Sequence, residues 1–173
     1  MSWKTFLAAA GIAGLLATTQ SCSKADEMPL APSADAAAEE KAPTFTLPDL
    51  DGVKVSLEEV AKEKPVMLDF WATWCPHCED AVAALNAIQK DYADKMTLLS
   101  VNIQESKETV SKAAKKLGIT YRVLLDEDEA IMKLYAILAV PTFIVLDKDL
   151  TIKYRGYDPA AAKSAMLKLL GEK

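Results

Sequence analysis

Two cysteines separated by two residues form the most reactive pattern in the sequence, Cys75-Pro76-His77-Cys78. Proline is tolerated in a helix only within its first turn, so Pro76 predicts that Cys75 lies at a helix N-terminus. There the free backbone N–H groups and the positive end of the helix dipole favour the thiolate. Cys78 follows on the same helical face, within reach of a disulfide. The spacing therefore predicts a redox pair in which Cys75 attacks a substrate and Cys78 resolves the mixed disulfide.

Other uses of these cysteines fit the sequence less well. A disulfide within one helical turn would brace almost nothing, so a structural staple is disfavoured. A structural zinc site needs four ligands, whereas this region offers two cysteines and the histidine between them. A covalent haem site requires histidine directly after the second cysteine, where Glu79 stands instead. The pair is therefore predicted to be chemical.

Two further side chains are candidates to act on the pair. His77 is the only histidine in the chain, and its imidazolium form would stabilise a Cys75 thiolate; the alternative is a solvated residue without a partner. Asp69 interrupts an apolar run six residues before Cys75. A buried carboxylate there would have a raised pKa and would accept the proton of Cys78, whereas an edge-strand aspartate would face water.

The beginning of the chain resembles an export signal. Lys4 precedes an apolar run over residues 6–17, which is shorter than the roughly 20 residues needed to span a bilayer. Residues 18–23 resemble a bacterial lipobox with Cys22 as the lipidated residue, although Thr19 stands where leucine is usual. The sequence thus predicts a lipoprotein-type signal peptide over residues 1–22; the alternatives are a cleaved soluble form and an uncleaved anchor.

The remainder divides into a tether and one domain. Residues 23–42 are rich in Ala, Asp, Glu and Pro, which predicts a flexible tether because too little apolar surface is available to fold. Residues 43–173 are predicted to form a single domain with an ordinary core. The net charge of −5 argues against nucleic acid as a partner, because no basic face would neutralise phosphates.

Within that domain, strand and helix patterns alternate. Predicted strands and helices are a hairpin around Asp51-Gly52, strand 66–70, helix 82–92, strand 96–103, helix 110–117, strand 121–125, helix 131–135, a hairpin of strands 142–146 and 151–155, and a helix beginning at Asp158-Pro159. This order predicts an α/β fold with a mixed central sheet and helices on both faces.

Residues 68–78 resemble the active-site strand and helix start of thioredoxins, and the domain as a whole is similar to the exported TlpA/ResA-like branch of that family. The other matching segments are residues 43–47 with Asp51-Gly52, residues 101–106, Tyr135 and residues 140–143. The resemblance implies a thioredoxin fold with an N-terminal hairpin and an extra strand–helix insertion before a cis-proline. One departure is Leu150, where the hairpin of the family usually has glycine.

The resemblance also implies further site residues. Pro141 would be the cis-proline that faces the disulfide, and Val140 would offer its backbone to an extended substrate by strand addition. Glu105 corresponds to an acid near the cysteines in ResA-like proteins, although a surface glutamate before a helix explains it equally well. Of the two tryptophans that flank the motif, Trp74 is predicted to face the substrate and Trp71 to pack in the core.

These features predict a thiol–disulfide oxidoreductase with no cofactor and no metal beyond its own cysteines. The resemblance implies reduction of disulfides in exported, cysteine-containing proteins, in cytochrome c maturation or copper-site assembly. Electrons would come from a membrane thiol–disulfide carrier, and the protein would be lipid-anchored on the periplasmic side of a bacterial envelope.

Three alternatives remain. A DsbA-like disulfide-forming oxidase or isomerase shares the motif, but those proteins carry a larger helical insertion than the space between Cys78 and Pro141 allows. A copper-binding chaperone usually requires a further histidine. A peroxiredoxin is disfavoured because Leu68 and Ala72 stand where its proline and threonine would precede the cysteine.

Overall fold

The computed structural model of the protein describes residues 40–172. The predicted signal peptide, Cys22 and residues 23–39 of the predicted tether lie outside the described residues. None of the helices within residues 40–172 has the length and apolar character needed to cross a membrane.

The strands and helices of the described part alternate much as the sequence predicts. They are, in chain order, β1 (Thr46–Pro48), β2 (Lys54–Ser56), α1 (Leu57–Glu63), β3 (Val66–Trp71), α2 (Pro76–Tyr92), β4 (Thr97–Ile103), α3 (Lys107–Leu117), β5 (Arg122–Asp126), α4 (Ala130–Leu134), β6 (Thr142–Leu146), β7 (Ile152–Gly156) and α5 (Pro159–Leu170).

A five-stranded sheet with the order β5-β4-β3-β6-β7 organises the domain. β3 pairs in parallel with β4, and β4 in parallel with β5, while β6 is antiparallel to both β3 and β7. The parallel pairs require crossover helices, which α2 and α3 supply. β1 and β2 form a separate antiparallel hairpin. The mixed sheet, the N-terminal hairpin and the β5–α4 unit before Pro141 confirm the predicted thioredoxin fold.

β3 is the central strand and leads directly into the cysteine motif. Every residue of β3 is buried, as expected for a strand covered on both faces. Val66, Leu68 and Phe70 belong to one apolar cluster, whereas Met67 packs with α2 on the opposite face. The strand that carries Asp69 is therefore held by packing on both sides.

The helix that follows begins where the proline predicts. Cys75 is the N-cap of α2 and Pro76 its first residue, so this cysteine lies at a helix N-terminus. Behind it, Ala81, Leu85 and Ile88 pack against the sheet. This packing fixes the first turn of α2 over the end of β3.

One helix was not predicted from the sequence. α1 begins after Ser56, whose side chain accepts a hydrogen bond from the Glu59 backbone N–H. The Ser-x-x-Glu spacing of these two residues is typical of a capping box and would have indicated the helix. α1 has seven residues, so its apolar pattern is too short for a periodicity signal.

The start of the domain pairs with the C-terminal hairpin. The Ala42 N–H donates to the Leu150 carbonyl, and the Ile152 N–H donates to the Glu40 carbonyl, both at 2.8 Å. Residues 40–42, assigned to the tether from their composition, thus lie in the folded domain because they add backbone pairing beside β7. Leu150 has a φ of 62°, which explains why a glycine suits this turn.

Candidate active site

The two cysteines of the motif are joined at the N-terminus of α2. Their Sγ atoms are 2.32 Å apart and their Cα atoms 5.3 Å apart. Both are buried, with 5% and 4% of Cys75 and Cys78 exposed. The Cys78 backbone N–H points at the Cys75 sulfur across 3.2 Å. This N–H would stabilise a thiolate on Cys75, as the sequence predicts.

The loop before β6 approaches the same sulfur. The peptide bond between Val140 and Pro141 is cis, as the resemblance implies. The Val140 carbonyl oxygen lies 3.6 Å from the Cys75 sulfur. The backbone of Val140 therefore lies beside the Cys75 sulfur.

Asp69 lies inside the protein, 3% exposed, on the central strand. The alternative of an edge-strand aspartate facing water is wrong. Burial raises the pKa of Asp69 to about 7, and a hydrogen bond from Ser100 partly opposes this effect. The Ser100 hydroxyl donates to the Asp69 carboxylate across 2.7 Å. The protonation of Asp69 therefore changes near neutral pH, as a general base requires.

Glu105 contacts the loop that precedes the motif. Its carboxylate accepts hydrogen bonds from the backbone N–H of Thr73 at 2.7 Å and from the Thr73 hydroxyl. The Asn102 side chain donates a third hydrogen bond to the same carboxylate at 2.9 Å. These bonds tie the end of β4 to the segment just before Cys75, so Glu105 holds this loop in place.

His77 lies on the exposed side of the motif. Its side chain is 86% exposed, and its Nδ1 atom lies 3.7 Å from the Asp80 carboxylate, one turn further along α2. The imidazole is therefore not without a partner, and that partner, Asp80, was not predicted.

A shallow groove of about 580 Å³ runs beside the disulfide. One wall is formed by α2, the other by the loop before β6 and the start of α5. The lining residues are His77, Asp80, Ala81, Ala84, Ala139, Val140, Pro141, Tyr157 and Pro159. Trp71 is 2% exposed, as predicted for a residue that packs in the core, whereas Trp74 is 61% exposed.

Comparison with known proteins agrees with this arrangement. Residues 38–155 match the AhpC/TSA family. The chain belongs to this family. Because the matched residues include β1 to β6, the family covers the sheet, both cysteines and the cis-proline.

The relatives of this chain include proteins named for redox chemistry. The chain is 38% identical to the thioredoxin-like protein YneN of Bacillus subtilis over 112 residues, 63% of this chain and 65% of that protein. It is 33% identical to the thiol-disulfide oxidoreductase ResA of Geobacillus thermodenitrificans over 113 residues, 65% of this chain and 64% of that protein. The chain thus spans somewhat less than two thirds of the length of these relatives.

Solved structures agree on the fold. The thioredoxin domain of a thiol-disulfide oxidoreductase from Bacteroides vulgatus superposes with a TM-score of 0.70 at 24% identity. The match covers 76% of this chain and 96% of that domain. The fold of this AhpC/TSA family member is therefore the thioredoxin fold.

Three contacts of the site were not predicted. They are Ser100 with Asp69, Thr73 with Glu105, and Asp80 with His77. Asp80 lies three residues after His77, a spacing that would have suggested the pair once a helix was assigned there. Ser100 of β4 contacts Asp69 of β3, and Glu105, just after β4, contacts Thr73, just after β3. Both contacts therefore depend on the register of β3 against β4.

Proposed function

We propose that the protein is a thiol–disulfide oxidoreductase that reduces disulfides through Cys75 and Cys78. The observation that supports this proposal is the position of the Cys75 sulfur. It is at the N-terminus of α2, beside the Val140 carbonyl and within bonding distance of Cys78. A substrate strand paired with Val140 would place its own disulfide beside the attacking sulfur.

The reaction consists of two exchanges. The Cys75 thiolate attacks a substrate disulfide, so a mixed disulfide forms and one substrate thiolate leaves. Cys78 then attacks the Cys75 sulfur, which releases the second substrate thiolate and leaves the Cys75–Cys78 disulfide. Asp69 is the proposed base that accepts the proton of Cys78 in this second exchange.

The proposal extends to cellular context. The protein acts on exported proteins that contain cysteines, receives electrons from a membrane thiol–disulfide carrier, and is held on the periplasmic side of the envelope through a lipid on Cys22. Cytochrome c maturation or copper-site assembly would be the setting. The apolar segment before Cys22 supports the export and attachment of the protein. The name of the relative ResA, a thiol-disulfide oxidoreductase, supports the redox chemistry alone.

The assignment of the two cysteines is tested by trapping. Cys78→Ser should accumulate mixed disulfides with substrate proteins, because the resolving thiol is lost while the nucleophile remains. Cys75→Ser is the matched control and should accumulate almost none. Non-reducing electrophoresis after acid quenching measures both. Equal trapping by the two variants would contradict the assignment of Cys75 as the nucleophile.

The reverse direction of exchange, as in a disulfide-forming oxidase or isomerase, would use the same residues. A copper-binding role would need more ligands than the pair. Residues 40–172 contain no group of three or more His, Cys, Asp or Glu side chains that could hold a metal ion. Copper titration of the reduced protein separates that role, because a redox enzyme needs no stoichiometric metal for turnover.

A further inference from the structure

Asp69 is enclosed by apolar side chains, with one polar side chain beside it in the sheet. Its register partners on the two neighbouring strands are Ser100 of β4 and Phe143 of β6. Side chains at paired positions lie on the same face of the sheet. Ser100 is completely buried and donates a 2.7 Å hydrogen bond to one carboxylate oxygen of Asp69.

The position of Asp69 along β3 places it under the start of α2. On the same face of β3, Met67 comes before it and packs against Ala81 and Leu85 of α2. Trp71 comes after it and packs with Cys75 and Cys78. Asp69 thus lies between the part of the core under the body of α2 and the part that contains the cysteines.

The titratable group that interacts with this carboxylate is Tyr121, in the segment before β5. Cys78 of α2 packs in the neighbouring cluster with Trp71, two residues after Asp69 on the same face of β3. Burial raises the pKa of the Tyr121 hydroxyl, and the charge of Asp69 raises it further. Tyr121 therefore remains neutral at the working pH and supplies no counter-charge. Since β6 contributes only Phe143 at the paired position, the Ser100 hydroxyl is the group that stabilises an ionised Asp69.

We infer that Ser100 is a positioning residue for the second exchange, because its hydroxyl holds the Asp69 carboxylate in one orientation and favours its ionised form. The inference rests on the proposed function of Asp69 as the base. In that step Cys78 gives its proton to Asp69, and its sulfur attacks the Cys75 sulfur. The Cys75–Cys78 bond forms, the bond from Cys75 to the substrate sulfur breaks, and the substrate leaves as a thiolate with the bonding electron pair. Asp69 then returns its proton to solvent.

The second exchange can be followed by itself with 5,5′-dithiobis(2-nitrobenzoate) as the disulfide substrate. The reduced full-length protein releases one coloured thiolate when Cys75 attacks and another when Cys78 resolves the mixed disulfide. Stopped-flow absorbance between about pH 5.5 and 8.5 gives the rate of each release and the midpoint of its pH profile.

Ser100→Ala should shift the midpoint of the second release upward, because a hydrogen bond to the charged form is lost. We expect a shift of about one pH unit, so the second release should be about tenfold slower well below the midpoint and nearly unchanged above it. The first release should be unaffected. Ser164→Ala, which removes an exposed hydroxyl on α5, is the matched control and should leave both releases unchanged.

A second pair of variants tests the hydroxyl with two side chains of the same shape, threonine and valine. Ser100→Thr keeps the hydroxyl and should retain the wild-type midpoint. Ser100→Val lacks the hydroxyl and should shift the midpoint upward. In an Asp69→Asn background, Ser100→Ala should no longer shift the profile. Carbon NMR of the Asp69 carboxyl in the oxidised protein should show the same upward shift of the titration midpoint. This measurement does not depend on activity.

A uniform slowing at every pH with an unchanged midpoint would overturn the inference, as would equal shifts in the Thr and Val variants. If the wild-type protein shows no second release, the proposed function itself fails. If the wild type shows both releases and Ser100→Ala keeps its midpoint, the inference alone fails.

Discussion

The burial of the Asp69 carboxylate destabilises the folded protein by an amount that depends on pH. Burial raises its pKa from 3.8 to about 7, so the native state binds its proton more tightly than the unfolded chain does. Stability therefore decreases as pH rises from about 4 towards 7, and the loss is complete above the native pKa. The residue that serves the proposed chemistry destabilises the fold at neutral pH.

Replacing this carboxylate should stabilise the protein in alkaline solution. Asp69→Asn should raise the free energy of unfolding at pH 8 by roughly 2–4 kcal/mol, because each pKa unit corresponds to about 1.4 kcal/mol. At about pH 4 the gain should nearly vanish, since the native carboxyl is then protonated. Urea unfolding of the oxidised protein at both pH values measures this. Asp91→Asn, on the exposed side of α2, is the control. An equal gain in unfolding free energy for Asp69→Asn at both pH values would contradict the account.

His77 should influence the balance between the dithiol and the disulfide. An imidazolium at His77 would stabilise a Cys75 thiolate in the reduced protein, whereas the disulfide carries no charge to stabilise. His77→Gly should therefore make the reduction potential more negative, by about 30 mV for each tenfold change in the equilibrium constant.

Equilibration with glutathione buffers at several pH values measures the potential of both proteins. Asp80→Asn is an informative companion, because it removes the carboxylate 3.7 Å from His77 and keeps the imidazole. The reduction potential of Asp80→Asn should not fall below that of the wild-type protein. An unchanged or higher potential in His77→Gly would leave His77 as a solvated residue with no redox role.

At the scale of elements, Glu105 joins the end of β4 to the loop between β3 and α2. A hydrogen bond to a charged group contributes about 1.5–3 kcal/mol, and this carboxylate accepts two from Thr73. Because the site is half-buried, Glu105→Ala should lower the free energy of unfolding by about 1–2 kcal/mol. Thr73→Val keeps the backbone N–H bond and loses only the hydroxyl bond, so its loss should be smaller.

Urea denaturation of the oxidised proteins measures both changes. If Glu105→Ala leaves the unfolding free energy at the wild-type value, the three hydrogen bonds contribute nothing to the position of the loop.

The elements that were predicted carry strong local signals. Gly52, with a φ of 85°, marks the first hairpin, and Asp158-Pro159 marks the start of α5. Pro76 fixed the start of α2, and with it the N-cap position of Cys75. The short α1 lacked a periodic pattern, so only its capping box would have indicated it.

The site was predicted less completely than the elements, for a physical reason. Local spacing and resemblance indicated the cysteines, Asp69 and the cis-proline. The partner of Asp69 is Ser100, which lies 31 positions away and meets it only through the parallel register of β3 and β4. Such a register depends on the assembled sheet, so composition and periodicity do not specify it.

At the scale of the whole molecule, the fold brings distant segments to one end of the sheet. β3 and β4 are parallel, so the segments after them meet at the same edge. The cysteine motif follows β3, Glu105 follows β4, and the cis-proline comes just before the antiparallel β6. The site is therefore made by the ends of three adjacent strands.

The predicted attachment to a membrane depends on a residue outside this domain. Cys22→Ser should move the protein from the membrane fraction into a soluble exported fraction, or leave its signal uncleaved, because the lipid acceptor is lost. Fractionation and the mass of the mature protein measure this in cells. Unchanged fractionation together with an unchanged mass would contradict lipidation.

The most direct test of the central claim is the redox state of Cys75 and Cys78 in intact cells. Rapid acid quenching, followed by alkylation with a reagent that adds mass to each free thiol, separates the dithiol from the disulfide. Cys75→Ser and Cys78→Ser provide the mobility standards. A reductase whose cysteines are kept reduced by a membrane carrier should be found mostly as the dithiol. A protein found mostly as the disulfide would contradict the claim.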